Sequence, residues 1–486
     1  MIFTTITYLL FFPLVFVLYW ALKERRRQNL LLILAGYFFY GWWDVRFCAL
    51  MLATSLIDFG VGLAMGRATA PAHRRGWLVL SLIVNLGVLG FFKYFNFFAE
   101  NFCQLLGAAG LHTSTFTLKV ILPVGLSFYT FQEMTYTIDV YRKRVEPCRD
   151  LISFLAFVSF FPQLVAGPIE RASHLLGQMR QSRRFDYPLA VNACRQILWG
   201  FAKKMILADN LGLFVDSIYA APAQHSGAEC VVATVFFAFQ IYCDFSAYSD
   251  IAIGSARLLG FDIIRNFAYP YFSQSVSEFW RRWHISLSTW FRDYLYIPLG
   301  GSRISQKRTA LNLMIVFLLS GLWHGASWNY VIWGGLNGIG ILPSIWRHKT
   351  QKARPEEIPG GELLFPQIGT IGRMAATFSF ICVAWVFFRA STFSDALTVF
   401  SKSARSLSPG ALSAWAAVGL GEYGWLFIAL AIFCVLEWLQ RRHHHGLKVD
   451  WMPQPVRWGV YLAVALAVFR FGLSSQEGRA FIYFQF

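Results

Sequence analysis

Residues 6–22 form an apolar run closed by Lys23, Arg25, Arg26 and Arg27, and runs of this kind recur along the whole chain. They lie near 29–43, 47–65, 77–98, 118–141, 195–219, 230–260, 308–325, 327–346, 371–389, 424–440 and 456–473. A helix crosses the hydrocarbon core of a bilayer with roughly 17–25 apolar residues. The expected fold is therefore an all-α polytopic membrane protein with about 11–13 membrane segments, some of them broken or re-entrant. Composition agrees: 14% of residues are charged and 56% are hydrophobic, against roughly 25% charged in a soluble domain. The charges of the first run follow it, and no small-residue cleavage site is present. It reads as a retained helix rather than a secretory signal.

The formal net charge is +17, yet the basic residues sit in short loops between apolar runs. Loops 23–28, 66–76, 142–149, 347–354 and 441–448 are basic, whereas 98–117 and 220–229 contain no Lys or Arg and 390–423 contains only Lys402 and Arg405. That distribution places basic loops in the cytoplasm and both termini outside. It argues for a membrane and against nucleic acid. Parity fails at 150–169, because 171–184 is basic again. This segment is expected to enter the membrane and turn back, with Pro162, Gly167 and Pro168 breaking it. Such breaks are tolerated where protein or a water-filled cavity covers the freed backbone groups. The eight cysteines show no CxxC and lie mostly in or beside apolar runs, which argues against a disulfide framework or a zinc site. His443, His444 and His445 are adjacent, so they cannot all face one ion on a helix, and they read as a solvated loop with no metal role.

Residues 275–301, SVSEFWRRWHISLSTWFRDYLYIPLGG, are too charged to span. Glu278, Arg281, Arg282, Arg292 and Asp293 are all costly in lipid. Helical spacing puts Phe279, Trp283, Leu287 and Trp290 on one face and Arg281, His284 and Ser288 on another. Glu278 and Arg282 make an i,i+4 pair, and Pro298, Gly300 and Gly301 end the element. It is either an interfacial helix with solvated arginines or a helix facing a cavity where guanidinium groups meet an anionic ligand. In QIYCDFSAYSD (240–250), Asp244 and Asp250 lie with Gln240, Tyr242 and Tyr248 inside an apolar run. Ionisable residues at membrane depth mark candidate sites, unless partners simply neutralise them. In 121–141, Pro123 and Gly125 permit a kink or a break, and Ser127, Gln132, Glu133, Thr135, Thr137 and Asp139 give the helix a polar side suited to a cavity wall.

His324 lies where run 308–325 gives way to run 327–346, among Gly321, Trp323, Gly325, Ala326 and Ser327. It is either a packed histidine or a general base, since neutral imidazole takes a proton near neutral pH. Spacing alone leaves both open. A transporter with a buried proton relay also accounts for Glu133, Asp244 and Asp250, although the chain shows no inverted repeat.

Together, LPVGLSFYTFQ (122–132), YTIDVYR (136–142), FFPQLVAGPIER (160–171), YCDFSAYSDIAIG (242–254), SEFWRRWHISLSTWFRDYLYIPLGG (277–301), GLWHGASWNYVIWGGLNG (321–338) and FIYFQF (481–486) resemble the bacterial branch of the membrane-bound O-acyltransferase family. The resemblance implies that His324 is the catalytic histidine and that His284 is its second polar position. It implies helices around a central tunnel. A cytoplasmic donor, acetyl-CoA, would enter from one side and an acceptor hydroxyl from the other, with no permanently bound cofactor. Arg281, Arg282, Arg292, Asp244, Tyr248, Trp323 and Asn329 are the expected substrate-binding residues. The expected division is 1–117 as N-terminal transmembrane helices, 118–346 as catalytic core and 347–486 as C-terminal helices with an outward tail. The resemblance implies an envelope polysaccharide as acceptor, an alginate-like exopolysaccharide ahead of cellulose or peptidoglycan, and a separate SGNH-hydrolase-like envelope protein as partner. The aromatic tail, residues 474–486, is a candidate contact for that partner, or an interfacial anchor.

Overall fold

A computed structural model describes residues 1–111, 117–118, 121–347, 358–361, 363–406, 412–472 and 481–482. Among these the secondary structure is entirely helical. Helices replace the apolar runs nearly one for one: Ile6–Ala21, Arg25–Gly41, Arg46–Arg67, Pro71–Ala108, Leu126–Tyr141, Gly227–Leu258, Gln306–His324, Trp328–Arg347, Ile368–Arg389, Trp425–Gln440 and Gln454–Gly472. Of the described helices, five are long and apolar enough to cross a membrane by length and composition: Arg46–Arg67, Pro71–Ala108, Gly227–Leu258, Ile368–Arg389 and Gln454–Gly472. Gly227–Leu258 is mostly enclosed by protein, whereas no residue in the apolar window of Gln454–Gly472 is buried. Trp458, Leu462, Leu466 and Phe469 stand outward on that last helix, a surface suited to lipid rather than water.

The chain forms two compact units, Met1–Cys194 with Ala252–Ile264, and Arg195–Ile251 with Arg265–Phe486. In the first unit the 150–169 stretch is broken as its prolines require. Leu151–Val158 and Phe161–Leu164 are separate short helices, the second with Pro162 in its first turn. Eight residues of helix rise about 12 Å, well short of the roughly 30 Å of a bilayer core. The 118–141 run is broken rather than kinked. Its helix begins only at Leu126, after Gly125 at φ 75°. That left-handed conformation is open to glycine at little penalty, and a Cβ there would also press on the Leu164 carbonyl at 2.9 Å.

In the second unit, run 195–219 is interrupted by a π-helical turn, Lys203–Ala208, an irregularity common at functional sites. Gln306–His324 starts at Ser305, whose side chain accepts from the Arg308 amide, an N-cap. It packs against Trp328–Arg347, and the turn between them is the one expected at His324. A Cβ on Gly321 would run into the Tyr330 carbonyl of the facing helix. Gly321→Ala is therefore expected to destabilise the detergent-purified protein by about 1–3 kcal/mol. The check is the thermal unfolding midpoint; one unchanged by the substitution would show that the two helices can part freely.

The histidine triplet corrects a sequence expectation. His444 is exposed, but His445 is buried and its Nδ1 accepts from the Leu447 amide at 3.3 Å. The neighbouring Arg441 guanidinium, also buried, donates to the carbonyls of Pro359, Gly361 and Leu363. These backbone acceptors hold the turn inward, so it is not wholly solvated.

Candidate active site

His324 is the last residue of its helix and is only 4% exposed. Aromatic rings enclose it: Trp323 and Trp333 each at 4.9 Å between centroids, and Phe388 at 5.4 Å. Trp385 stacks on Trp333 at 5.7 Å and meets Phe388 at 5.1 Å. Three helices thus supply the enclosure, since Trp385 and Phe388 come from Ile368–Arg389.

His284 reaches the same place from a different element. The 275–301 stretch is not one helix but two, Val276–Arg282 and Ile285–Phe291, broken at Trp283–His284. This corrects the two-faced helix read from its spacing. His284 is left-handed, at φ 43°, a conformation uncommon outside glycine and worth roughly 1–2 kcal/mol of strain. The break turns the imidazole inward, so it is fully buried rather than on a polar face. Phe279, Trp283, Leu287 and Trp290 remain buried together. His284 meets the Phe245 ring edge-to-face at 4.7 Å, Trp323 at 6.0 Å and His324 at 6.4 Å.

Asn266 fixes this break. Its backbone carbonyl accepts from the Ile285 amide at 2.9 Å, and its Oδ1 accepts from the Ser286 hydroxyl at 2.6 Å. Its amide in turn donates to Ser249 Oγ on the Gly227–Leu258 helix at 3.1 Å. Asn266→Ala leaves the buried Ser286 and Ser249 hydroxyls short of a partner, and is expected to lower stability by about 1–3 kcal/mol. It should also depress turnover by loosening His284. Turnover and unfolding midpoint measured on one preparation test this, and loss of neither would show that Asn266 holds nothing.

The other expected residues divide. Trp323 lines the histidine enclosure. Asn329 spends its side-chain amide on the Ala390 carbonyl at 2.9 Å, tying the hairpin turn to the end of Ile368–Arg389. Arg282 is buried and salt-bridged to Glu278 Oε1 at 2.9 Å, the expected i,i+4 pair. Arg292 is exposed and pairs with Asp293 at 2.8 Å, and Arg281 is exposed with Ser277 Oγ at 3.3 Å. Asp244 and Tyr248 lie on Gly227–Leu258 with Phe245 between them in sequence.

Asp244 belongs to a buried charge cluster that the sequence reading passed over. Lys204 Nζ bridges Asp209 at 2.8 Å and Asp244 at 3.0 Å, while Lys203 Nζ meets Asp250 at 2.7 Å and donates to Ser246 Oγ at 2.7 Å. Gln196 also donates to Asp250, at 2.8 Å. The π-helical turn presents both lysines from one end of the segment. Two adjacent lysines inside an apolar run were the available signal, because such residues at membrane depth pair or line a cavity.

Of the tail, residues 474–486, only Phe481 and Ile482 are described, and both are buried within the protein. The Ile482 amide donates to Asp244 Oδ2 at 2.9 Å, and the Phe481 ring lies 4.8 Å from Tyr248 and 5.6 Å from Phe245. Apolar side chains gain from that burial, and the carboxylate satisfies the amide. The remainder of the tail lies outside the described residues.

Chemically, the site places two imidazoles in one aromatic, water-poor enclosure. One can take a proton from a hydroxyl while the other orients it or polarises a carbonyl. Comparison with known proteins gives this chemistry a family. The model of the membrane-bound O-acyltransferase family matches residues 147–356. The chain is 36% identical over 505 residues to a Pseudomonas putida protein named "Probable alginate O-acetylase AlgI", covering 100% of each. It is 34% identical over 420 residues to the peptidoglycan O-acetyltransferase of Helicobacter pylori, covering 80% of this chain and 77% of that one. It is 30% identical over 258 residues to the teichoic acid D-alanyltransferase of Streptococcus thermophilus, covering 50% and 62%. Full-length identity at this level, together with the matched core, makes the chain a member of the membrane-bound O-acyltransferase family, a multi-pass membrane enzyme that transfers acyl groups to oxygen.

Proposed function

We propose that this enzyme moves an acetyl group from cytoplasmic acetyl-CoA to a hydroxyl on the outer side of a bacterial cytoplasmic membrane, with both termini outside. The observation that carries the reading is the pairing of His324 and His284 in one enclosure, 6.4 Å ring to ring. His324 acts as general base on the attacking hydroxyl. The new C–O bond forms, the tetrahedral adduct collapses, and the thiolate leaves with the electron pair of the broken C–S bond. His284 polarises the thioester carbonyl or orients His324. Transfer is direct, without an acyl-serine or acyl-cysteine. Arg281 and Arg292, which are exposed, suit donor phosphates better than Arg282, whose guanidinium is buried against Glu278.

The acceptor is an alginate-like exopolysaccharide. The support is the relatives of 36–41% identity that carry the alginate O-acetylase name. A separate SGNH-hydrolase-like envelope protein completes delivery, since the described residues of the long 390–423 loop form two short helices, Phe393–Arg405 and Leu412–Leu420, rather than a catalytic domain. Proteoliposomes given labelled acetyl-CoA should release CoA and label de-acetylated alginate oligosaccharides once such a partner is added. Labelling of peptidoglycan fragments alone would overturn the acceptor. Failure to release CoA with either would overturn acetyl transfer.

A further inference from the structure

A second buried polar site lies wholly within the first unit and is independent of the acyl-transfer reading. It is built where Arg46–Arg67, Pro71–Ala108 and Leu126–Tyr141 pack together. Asp58 and Glu133 are both completely buried there. Asp58 Oδ1 accepts from Ser81 Oγ at 2.6 Å, and Oδ2 accepts from the Asn85 amide at 2.7 Å. Ser81 also meets Thr137 Oγ1 at 3.0 Å. Glu133 Oε1 accepts from Ser55 at 2.7 Å and from Thr54 at 3.3 Å.

Acceptors outnumber donors in this seam. Glu133 Oε2 and Asn85 Oδ1 are both enclosed, and neither accepts a hydrogen bond from a described residue. Helix geometry brings them to one level. Glu133 is one turn before Thr137, and Ser55 is about one turn before Asp58. Asn85 is one turn after Ser81 on a helix running the opposite way, after the short connection 68–70. No Lys, Arg or His forms an ion pair with Asp58 or Glu133 among the described residues. The nearby Arg74 guanidinium donates instead to the carbonyls of Met65, Val140 and Tyr141. Burying a carboxylate without a counter-charge is strongly unfavourable. One proton shared between Glu133 Oε2 and Asn85 Oδ1 would pair both orphan oxygens but would leave the buried Asp58 carboxylate charged. A cation could satisfy both and neutralise charge as well.

We propose that Asp58, Glu133 and Asn85, with the hydroxyls of Ser55 and Thr54, bind a small hard cation of the Na⁺ or Ca²⁺ class. The donor set is all oxygen and includes carboxylate, amide carbonyl and hydroxyl, the ligands such ions take.

The test uses the full chain purified in detergent and stripped by chelation and dialysis. Equilibrium dialysis against radioactive sodium or radioactive calcium should show saturable uptake of one ion per chain. The thermal unfolding midpoint should rise saturably with that same ion and not with choline at equal ionic strength, because an ion binding only the folded state stabilises it by mass action. Glu133→Gln should abolish uptake, and Asn85→Asp, which adds a carboxylate, should tighten it. No stoichiometric uptake of either ion by the unsubstituted protein would overturn the proposal and leave the site to protons. Uptake that survives in both Glu133→Gln and Asp58→Asn would overturn it equally, by placing the ion elsewhere. Should Glu133→Gln fail to fold, Asn85→Leu replaces it, with loss of uptake expected again.

Discussion

Replacing His324 with alanine is expected to lower acyl transfer by about 10²–10⁴-fold, the usual contribution of a positioned general base. The side chain sits among Trp323, Trp333 and Phe388, so removing it also opens a cavity. His324→Phe keeps most of the volume and should lose activity to the same extent while retaining the unfolding midpoint. Turnover of acetyl-CoA near the wild-type rate in either variant would remove His324 from the chemistry. The companion substitution separates two roles of His284. Its left-handed backbone suits asparagine, whose short polar side chain visits that region more readily than alanine. His284→Asn should therefore keep the break between Val276–Arg282 and Ile285–Phe291 while removing the imidazole. The expected loss is about 10²–10³-fold, as for one donor that stabilises developing charge on oxygen. Unchanged turnover would make His284 a turn residue only.

Lys204→Met is expected to destabilise the protein by about 3–5 kcal/mol, because it leaves two carboxylates buried without their counter-ion. Lys204 bridges Asp209 and Asp244, and all three side chains are nearly inaccessible. Neutralising the partners as well, in Lys204→Met with Asp209→Asn and Asp244→Asn, should recover most of the loss, since a buried charge cluster replaced as a whole is often near neutral. The measurement is the unfolding midpoint of the three proteins in one detergent. A single variant as stable as the parent would show that water reaches the cluster. Because Asp244 Oδ2 also accepts from the Ile482 amide, the triple variant tests at the same time whether that amide tolerates a neutral acceptor.

Much of the architecture was legible in apolar runs, because a helix in lipid must satisfy its own backbone and so needs an unbroken apolar length. The helix beginning at Leu126 shows where that reading stops. A run marks composition, not the residue at which the chain turns, and Gly125 sets that boundary by its left-handed backbone. Motif likeness pointed to His324 and His284 but gave no geometry for either.

The sequence by itself determined a helical membrane protein, its family and its two histidines. Hydrophobic length and a few unusual residue strings are local properties of the chain. Only the tertiary structure decided that His284 turns inward at a break held by Asn266, that Arg282 is occupied by Glu278, and that Lys203 and Lys204 neutralise the aspartates of Gly227–Leu258. Each of these depends on which buried charges and amides meet across helices. Desolvation makes such pairings obligatory, but a linear string of residues does not say which partner each will find.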